Sequence, residues 1–288
     1  MLWQIDGVLQ AEPSKFSHGY PLNTLAQSVM GAPNWLNSSI FTFIKPFVGH
    51  WPWWNLASVL LELAIGACLI SARFVRSALV ASFVWAAIIW WVGEGLGMLP
   101  SGFALMAAGA PGAAVLYVIL GGLAWPKSPG RALGDVDAIG WRVAWTILWV
   151  GAAFLHLPVV YPARQVLVAN LATLADGAPR VLAHISAWMI GLSKHHSGTV
   201  VLVLALVELA IGLAPWLARR RAPLWLGLSI LVSLFFWVVF QQFGTIFTPD
   251  ATDPNSGPLM ILLALVAWPR RREDRADSLR PEYGGTTQ

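Results

Sequence analysis

Apolar residues in this chain come in long unbroken runs, not in the alternation of a half-buried strand or the one-sided stripe of a soluble helix. Runs near membrane-spanning length occur at 53–71, 77–98, 112–126, 142–158, 198–217, 223–247 and 257–269. A hydrocarbon core about 30 Å thick needs about 20 apolar residues in helical form. Lipid offers no partner for open backbone groups, and the runs are too long for barrel strands, so the pattern predicts helices. The runs 112–126 and 257–269 are short and follow Gly- and Pro-rich stretches, which predicts helices starting inside or near the outer headgroups. The segments 35–48 and 180–193 read differently. Trp35, Leu36, Ile40, Phe43, Ile44 and Phe47 recur at helical spacing, as do Val181, Leu182, Ile185, Trp188, Met189 and Leu192. Separate helices lying in the outer interface or capping the bundle are expected there.

Composition agrees with this class. Of 288 residues, 57% are hydrophobic and 11% charged, against about 25% charged in soluble domains. The mean hydropathy is +0.65. A disordered chain, a nucleic-acid module and a disulfide-stapled secreted domain are excluded, since Cys68 is the single cysteine. The net charge of +4 reports on topology, not on nucleic acid. Arg73, Arg76, Lys127, Arg131, Arg142, Arg219, Arg220, Arg221, Arg270, Arg271, Arg272, Arg275 and Arg280 fall on one face of the seven-span arrangement. Lys15, Lys45, Arg164, Arg180 and Lys194 fall on the other. The richer face is expected to be cytoplasmic, with the C-terminus on it. Trp51, Trp53 and Trp54 would mark the outer aromatic belt, and Trp125, Trp216, Trp225 and Trp268 the inner one. Most of the 17 tryptophans are therefore expected to be anchors. The opening residues lack the basic start and long apolar core of a signal peptide, and carry Asp6.

An internal repeat runs almost the whole length. A shift of 146 residues lays Leu2-Trp3 on Leu148-Trp149, Gly31-Ala32-Pro33 on Gly177-Ala178-Pro179, and His50 on His196. The same shift lays Glu62 through Gly66 on Glu208 through Gly212, and Arg73 on Arg219. With one inserted residue Trp90, Glu94 and Gly97 meet Trp237, Gln241 and Gly244, and Trp125-Pro126 later meets Trp268-Pro269. The chain is thus expected to be a tandem duplication of one four-helix unit. The units would be 1–126 and 141–269, joined by a cytoplasmic linker 127–140 and followed by a basic, then polar tail 270–288. An even number of spans per unit makes the copies parallel, unlike the inverted repeats of many transporters. By the same shift Met1 falls on Ile147, inside helix A of the second unit. Residues 1–12 then supply only the outer half of the first helix A. A natural start upstream of Met1 is the expected reason, with a lipid-filled notch or a partner's helix as alternatives.

Polar residues at membrane depth are the candidates for chemistry. Glu62 and Glu208 lie near the middle of helix B in each unit, where a carboxylate either handles a ligand or proton or fixes packing as a hydrogen-bonded group. Trp90, Glu94 and Gly97 share one helical face, and the second copy keeps Trp237 and Gly244 but has Gln241 in place of the acid. The breaks Gly93 to Gly97, Gly109 to Gly112, and Asp250 to Asn255 read either as a polar-lined pocket at the outer end or as ordinary turns with an Asx cap. Gln10 stands in register with His156, so Asp6, Gly7 and Gln10 are expected to face the bundle. All six histidines, including His50, His156 and His196, fall on the outer half, and none forms an HxH or HxxxH pair. No metal site is expected. No P-loop, GxSxG, HExxH, CxxC or CxxCH motif occurs.

The stretches Glu62 to Gly66 with Leu69 and Arg73, and Glu208 to Gly212 with Leu217 and Arg219, resemble the DoxX/DoxD-like membrane superfamily. Its members are four-helix units with a Glu-x-x-x-Gly helix followed by a short basic turn. The tract from Trp90 to Gly112 resembles a bacterial, actinobacterial-type subgroup. The resemblance implies an all-α chain of two fused bundles in a bacterial plasma membrane. One DoxD-type relative is a subunit of a thiosulfate–quinone oxidoreductase. By this resemblance, and with no catalytic motif in the chain, the expected role is an accessory or anchoring subunit of a quinone-linked or extracytoplasmic redox system. Other membrane or extracytoplasmic subunits would be its partners, and quinone or lipid a possible occupant. The alternatives are a small-molecule or ion carrier using Glu62, Glu208 and Glu94, and a structural subunit of a larger assembly.

Overall fold

The computed structural model describes residues 2–102, 104–128, 137–157, 163–175, 178–249 and 251–269. The linker stretch 129–136, Gly177, Asp250, the side chain of Arg164 and the tail 270–288 lie outside the described residues. Among the described residues all regular structure is helical. The N-terminal half contains α1 (Leu2–Gln10), α2 (Tyr20–Ser28), α3 (Asn34–Val48), α4 (Trp51–Ile70), α5 (Val75–Ile88) and α6 (Ala113–Leu123). The C-terminal half contains α7 (Ala138–His156), α8 (Ala163–Ala175), α9 (Arg180–Leu217), α10 (Ala222–Phe235) and α11 (Ser256–Leu265). Among the described residues five helical stretches are long and apolar enough to cross a membrane: Trp51–Ile70, Val75–Gly93, Ala138–His156, Arg180–Leu217 and Arg219–Phe240. Leu60, Val80, Val84, Leu206 and Leu231 stand exposed along them, an outward apolar face that is stable against lipid and not against water. The chain is an all-α, multi-pass membrane protein.

Helix α1 packs on α4, α4 on α5 and α5 on α6, while α7 packs on α9, α9 on α10 and α10 on α11. The halves meet where α6 touches α7 and α11. Small residues set the closest approaches. A side chain at Gly66 would run into Gln4, and one at Gly212 into Val150, so both glycines let a first helix lie directly on the Glu-bearing helix. The two contacts are related by the 146-residue shift.

The outer helix and the span are divided in both halves, by a helix break before α4 and by a kink within α9. In the N-terminal half α3 and α4 are distinct, because Pro52 cannot continue a helix entering from Val48. In the C-terminal half 180–193 also precedes a break: within α9 two helices meet across a kink at His196 (φ −128°, ψ 19°), which divides 180–193 from the following span. His50 has nearly the same backbone angles (φ −123°, ψ 25°), so the same bend is present where the helix is interrupted.

The basic turns share one end of the molecule. Arg76 Nη2 donates to the Pro126 carbonyl at 2.8 Å, and the Arg142 guanidinium lies 6.0 Å from the centre of the Trp216 ring. Tryptophan use departs from expectation. Trp53, Trp54, Trp125, Trp216 and Trp268 are exposed, but Trp3, Trp141, Trp145 and Trp149 are buried. Trp141, Trp145 and Trp149 recur every four residues on α7 and pack as neighbouring rings with Trp225. They fill a helix seam, so a seam-filling and site-holding role replaces anchoring for a large share of the indoles.

Candidate functional site

The site is built where α5 ends. After Ile88 the helix widens into one π-helical turn, Ile89–Gly93, and the backbone then turns left-handed at Leu96 (φ 58°), Gly97 (φ 64°) and Met98 (φ 59°). Helix α10 does the same, through Phe236–Phe240 and then Gln242 (φ 46°), Phe243 (φ 60°), Gly244 (φ 70°) and Thr245 (φ 56°). The spans read as 77–98 and 223–247 therefore stop at 93 and 240. Left-handed non-glycine residues cost about 1–3 kcal/mol each and persist only where the surroundings hold them. A Cβ at Gly97 would collide with the Pro111 carbonyl, and one at Gly244 with Pro254.

The π turn turns the tryptophan and the acid toward the next helix. Trp90 Nε1 donates to the Pro111 carbonyl at 2.7 Å, and Trp237 Nε1 to the Pro254 carbonyl at 2.7 Å. Glu94 Oε1 accepts from Ala114 N at 3.1 Å, and Gln241 Oε1 from Gly257 N at 3.1 Å. Each thus satisfies an orphan N–H at the start of a short helix. Trp90, Glu94 and Gly97 do converge, through this broken turn and not along one α-helical face. The expected Asx cap is also present: Asn255 Oδ1 accepts from Ser256 N at 2.6 Å. Gln241 Nε2 donates across the halves to the Ala107 carbonyl at 3.1 Å. The irregular tracts before α6 and α11 are thereby covered by protein, as backbone at membrane depth requires.

Between α1, α4, α5 and α6 the structure leaves a cavity of about 330 Å³. It runs from mid-helix toward the end opposite the arginine turns. Three carboxyl groups from three helical segments reach it. Asp6 is 4% exposed and Glu62 5%, and Glu94 lies beside them in the lining. Each is held through one oxygen. Asp6 Oδ2 accepts from the Tyr117 hydroxyl at 2.5 Å, and Glu62 Oε1 accepts from Trp85 Nε1 at 3.0 Å. Glu94 is held by the Ala114 amide. Their other oxygens, Asp6 Oδ1, Glu62 Oε2 and Glu94 Oε2, have no hydrogen-bond partner among the described residues. Tyr117 is set by stacking on Trp3 (ring centres 4.4 Å apart), whose Nε1 donates to Ser82 at 2.9 Å.

The C-terminal half closes the cavity's mouth. Thr252 and Asp253 line it, and the buried Lys15 ties the two halves by donating to the carbonyls of Leu9 (2.7 Å) and Ala251. Burial pushes the Asp253 carboxyl above its ordinary range, and nearby Lys15 pulls it partly back.

At the corresponding place in the C-terminal half the acid is occupied. His156 Nδ1 lies 2.9 Å from Glu208 Oε2, with both side chains fully buried. The residue in register with His156 is Gln10, which turns away: its Nε2 donates to Asn55 Oδ1 at 2.5 Å, and Asn55 Nδ2 returns a bond to the Gln10 carbonyl at 3.1 Å. Glu62 keeps one unpartnered oxygen beside the cavity, whereas Glu208, whose two oxygens also lack an aligned hydrogen bond, has the His156 imidazole packed 2.9 Å from it.

Of the sequence candidates, the structure brings Gln10, Glu62 and Glu94 to the cavity and holds Trp90 to the Pro111 carbonyl outside its lining. His156, Glu208, Trp237 and Gln241 form the packed counterpart. His50 and His196 are exposed at the helix bends and face neither group. Among the described residues no three His, Cys, Asp or Glu side chains gather as a metal site. Sequence reasoning placed Asp6 toward the bundle without treating it as a site acid, and it missed Tyr117 and Trp85; Asp253 lies in the tract it read as a polar-lined outer pocket or an ordinary turn. Asp6 could have been found by the rule applied to Glu62, an acid inside an apolar run. A larger open groove of about 480 Å³ beside Arg180, Val181, His184, Ile185 and Trp188 gathers no buried polar group. No family model matches the sequence, and no curated protein or solved structure is detectably similar to the chain.

Proposed function

We propose that this protein binds a small organic ligand within the membrane, in the cavity of its N-terminal half, and acts as a carrier or ligand-receiving subunit. One observation carries the reading: three carboxyls from separate segments, each held by one hydrogen bond, present unpartnered oxygens to one cavity. Leaving buried acceptors unsatisfied is costly, and natural folds keep such arrangements mainly at ligand sites. The two halves are read as a tandem duplication of a DoxX-like unit. Support comes from the paired glycine contacts, π turns, left-handed runs and tryptophan–carbonyl bonds. In that reading the C-terminal copy, filled by the His156–Glu208 pair, is scaffold. The arginine-rich end is placed in the cytoplasm of a bacterial plasma membrane by charge bias, which puts the cavity in the outer leaflet.

A second reading, the accessory redox subunit, is favoured by the chemistry of the same lining. Neutral carboxyl groups on an aromatic wall can donate hydrogen bonds to quinone carbonyls, with protein partners completing the redox system. Both readings need an open N-terminal cavity, and dicyclohexylcarbodiimide, an apolar carboxyl reagent, tests that need. Peptide mass spectrometry after brief reaction should find the adduct on Asp6, Glu62 or Glu94, and none on Glu208. Reaction at Glu208 as fast as at the three cavity acids, or at none of them, would overturn the proposal.

A further inference from the structure

We infer that the ligand is an organic ammonium cation with an apolar body, an assignment that rests on the cavity reading above. The lining is one-signed: Asp6, Glu62, Glu94 and Asp253 contribute acids, and it contains no Lys, Arg or His side chain. The remaining wall is largely aromatic, including Trp3, Trp51, Trp54, Trp85 and Tyr117. Carboxylates among aromatic rings are the complement of an alkylated ammonium, because the ring faces attract the cation while the acids neutralise it. A desolvated carboxylate is stable only with a counter-charge or as the neutral acid. An entering cation supplies that charge and gives the unpartnered oxygens of Asp6 and Glu62 something to face. A neutral or anionic ligand would leave them as they are or add repulsion.

The comparison between the halves sharpens the assignment. In the C-terminal half the place opposite the acid is taken by the His156 imidazole, a cation when protonated, 2.9 Å from Glu208. In the N-terminal half Gln10 is bonded to Asn55 instead, and the buried Lys15 ammonium, tied to the Leu9 and Ala251 carbonyls, stays outside the lining, so no basic side chain of the described residues fills the place beside Glu62. The apolar wall fits the body of such a ligand, and the volume of about 330 Å³ lies at the lower end of small-molecule pockets, about 300–1,000 Å³. An ammonium centre can come from a free amine or from a lipid headgroup.

The test uses the full chain in nanodiscs of phosphatidylglycerol, with benzyltrimethylammonium as probe and its uncharged isostere neopentylbenzene as control. Binding is read by tryptophan fluorescence and by protection from carbodiimide. The cation should bind and protect Glu62, and the isostere should not. Glu62→Gln and Asp6→Asn should each weaken the cation about tenfold or more, through loss of one opposite charge beside a quaternary centre that has no N–H to donate, with Glu208→Gln as the unaffected control. Thermal midpoints without probe separate these effects from misfolding. In phosphatidylcholine nanodiscs, competition against the probe would assign the site to lipid headgroups, and unchanged affinity to free amines. Isostere binding as tight as the cation's would overturn the cation class while leaving the cavity reading in place. So would carbodiimide reaction of the cavity acids with no cation binding. Absence of that reaction would remove the cavity reading itself.

Discussion

Truncating the two mid-helix glutamates to alanine should have very different consequences, although the residues are equivalent by the 146-residue shift. Glu208 and His156 are both fully buried and 2.9 Å apart. Removing the carboxyl strands an imidazole whose Nε2 already lacks a partner, leaving its Nδ1 only the Ala152 carbonyl at 2.9 Å. Breaking a buried pair from one side costs about 3–5 kcal/mol. Glu62 gives up a single bond, from Trp85 at 3.0 Å, worth about 0.5–1.5 kcal/mol. Glu208→Ala should therefore destabilise the protein by about 2 kcal/mol or more beyond Glu62→Ala. Reversible denaturant unfolding in one detergent, followed by tryptophan fluorescence, measures both. Equal losses, or a larger loss for Glu62→Ala, would refute the division of the halves into an open site and a packed counterpart.

Gln10→His should build in the N-terminal half the pair that fills the C-terminal half, abolishing carbodiimide reaction at Glu62 and raising the thermal midpoint; a reactive Glu62 in that variant would contradict the register. Gly97→Ala should destabilise more than Gly102→Ala, since both positions are left-handed but only Gly97 would collide with a neighbour, and paired unfolding curves check the order. On a Cys68→Ser background, an impermeant maleimide applied to intact cells should label Ser197→Cys and not Ser71→Cys; the reverse pattern would invert the assigned orientation.

The helical class was legible in the sequence because spanning runs are long, and lipid leaves the backbone no alternative to intramolecular bonding. The likeness of Glu94 and Gln241 was legible in the sequence, and each bonds the amide of the short helix that follows, whereas Glu62 and Glu208 differ in their partners. The ends of α5 and α10 were not legible. A π turn followed by left-handed residues places Trp90 and Glu94 by a backbone change that a uniform 3.6-residue period hides. The division of 180–193 from the following span was legible as an amphipathic pattern giving way to an apolar one, and a kink at His196 marks it. The cavity lies furthest from sequence reach. It depends on Gln10 turning to Asn55 while His156 turns to Glu208, a choice between rotamers and partners that periodicity does not carry.

The most direct measurement is a density map of the full-length protein in nanodiscs, at a resolution that separates side chains. Non-protein density should lie between Asp6, Glu62 and Glu94, within hydrogen-bonding reach of at least two of them, while His156 fills the equivalent place beside Glu208. A map in which Gln10 or a neighbouring ring swings in to close on Glu62, leaving no room between α1, α4, α5 and α6, would contradict the ligand-binding role assigned to this half.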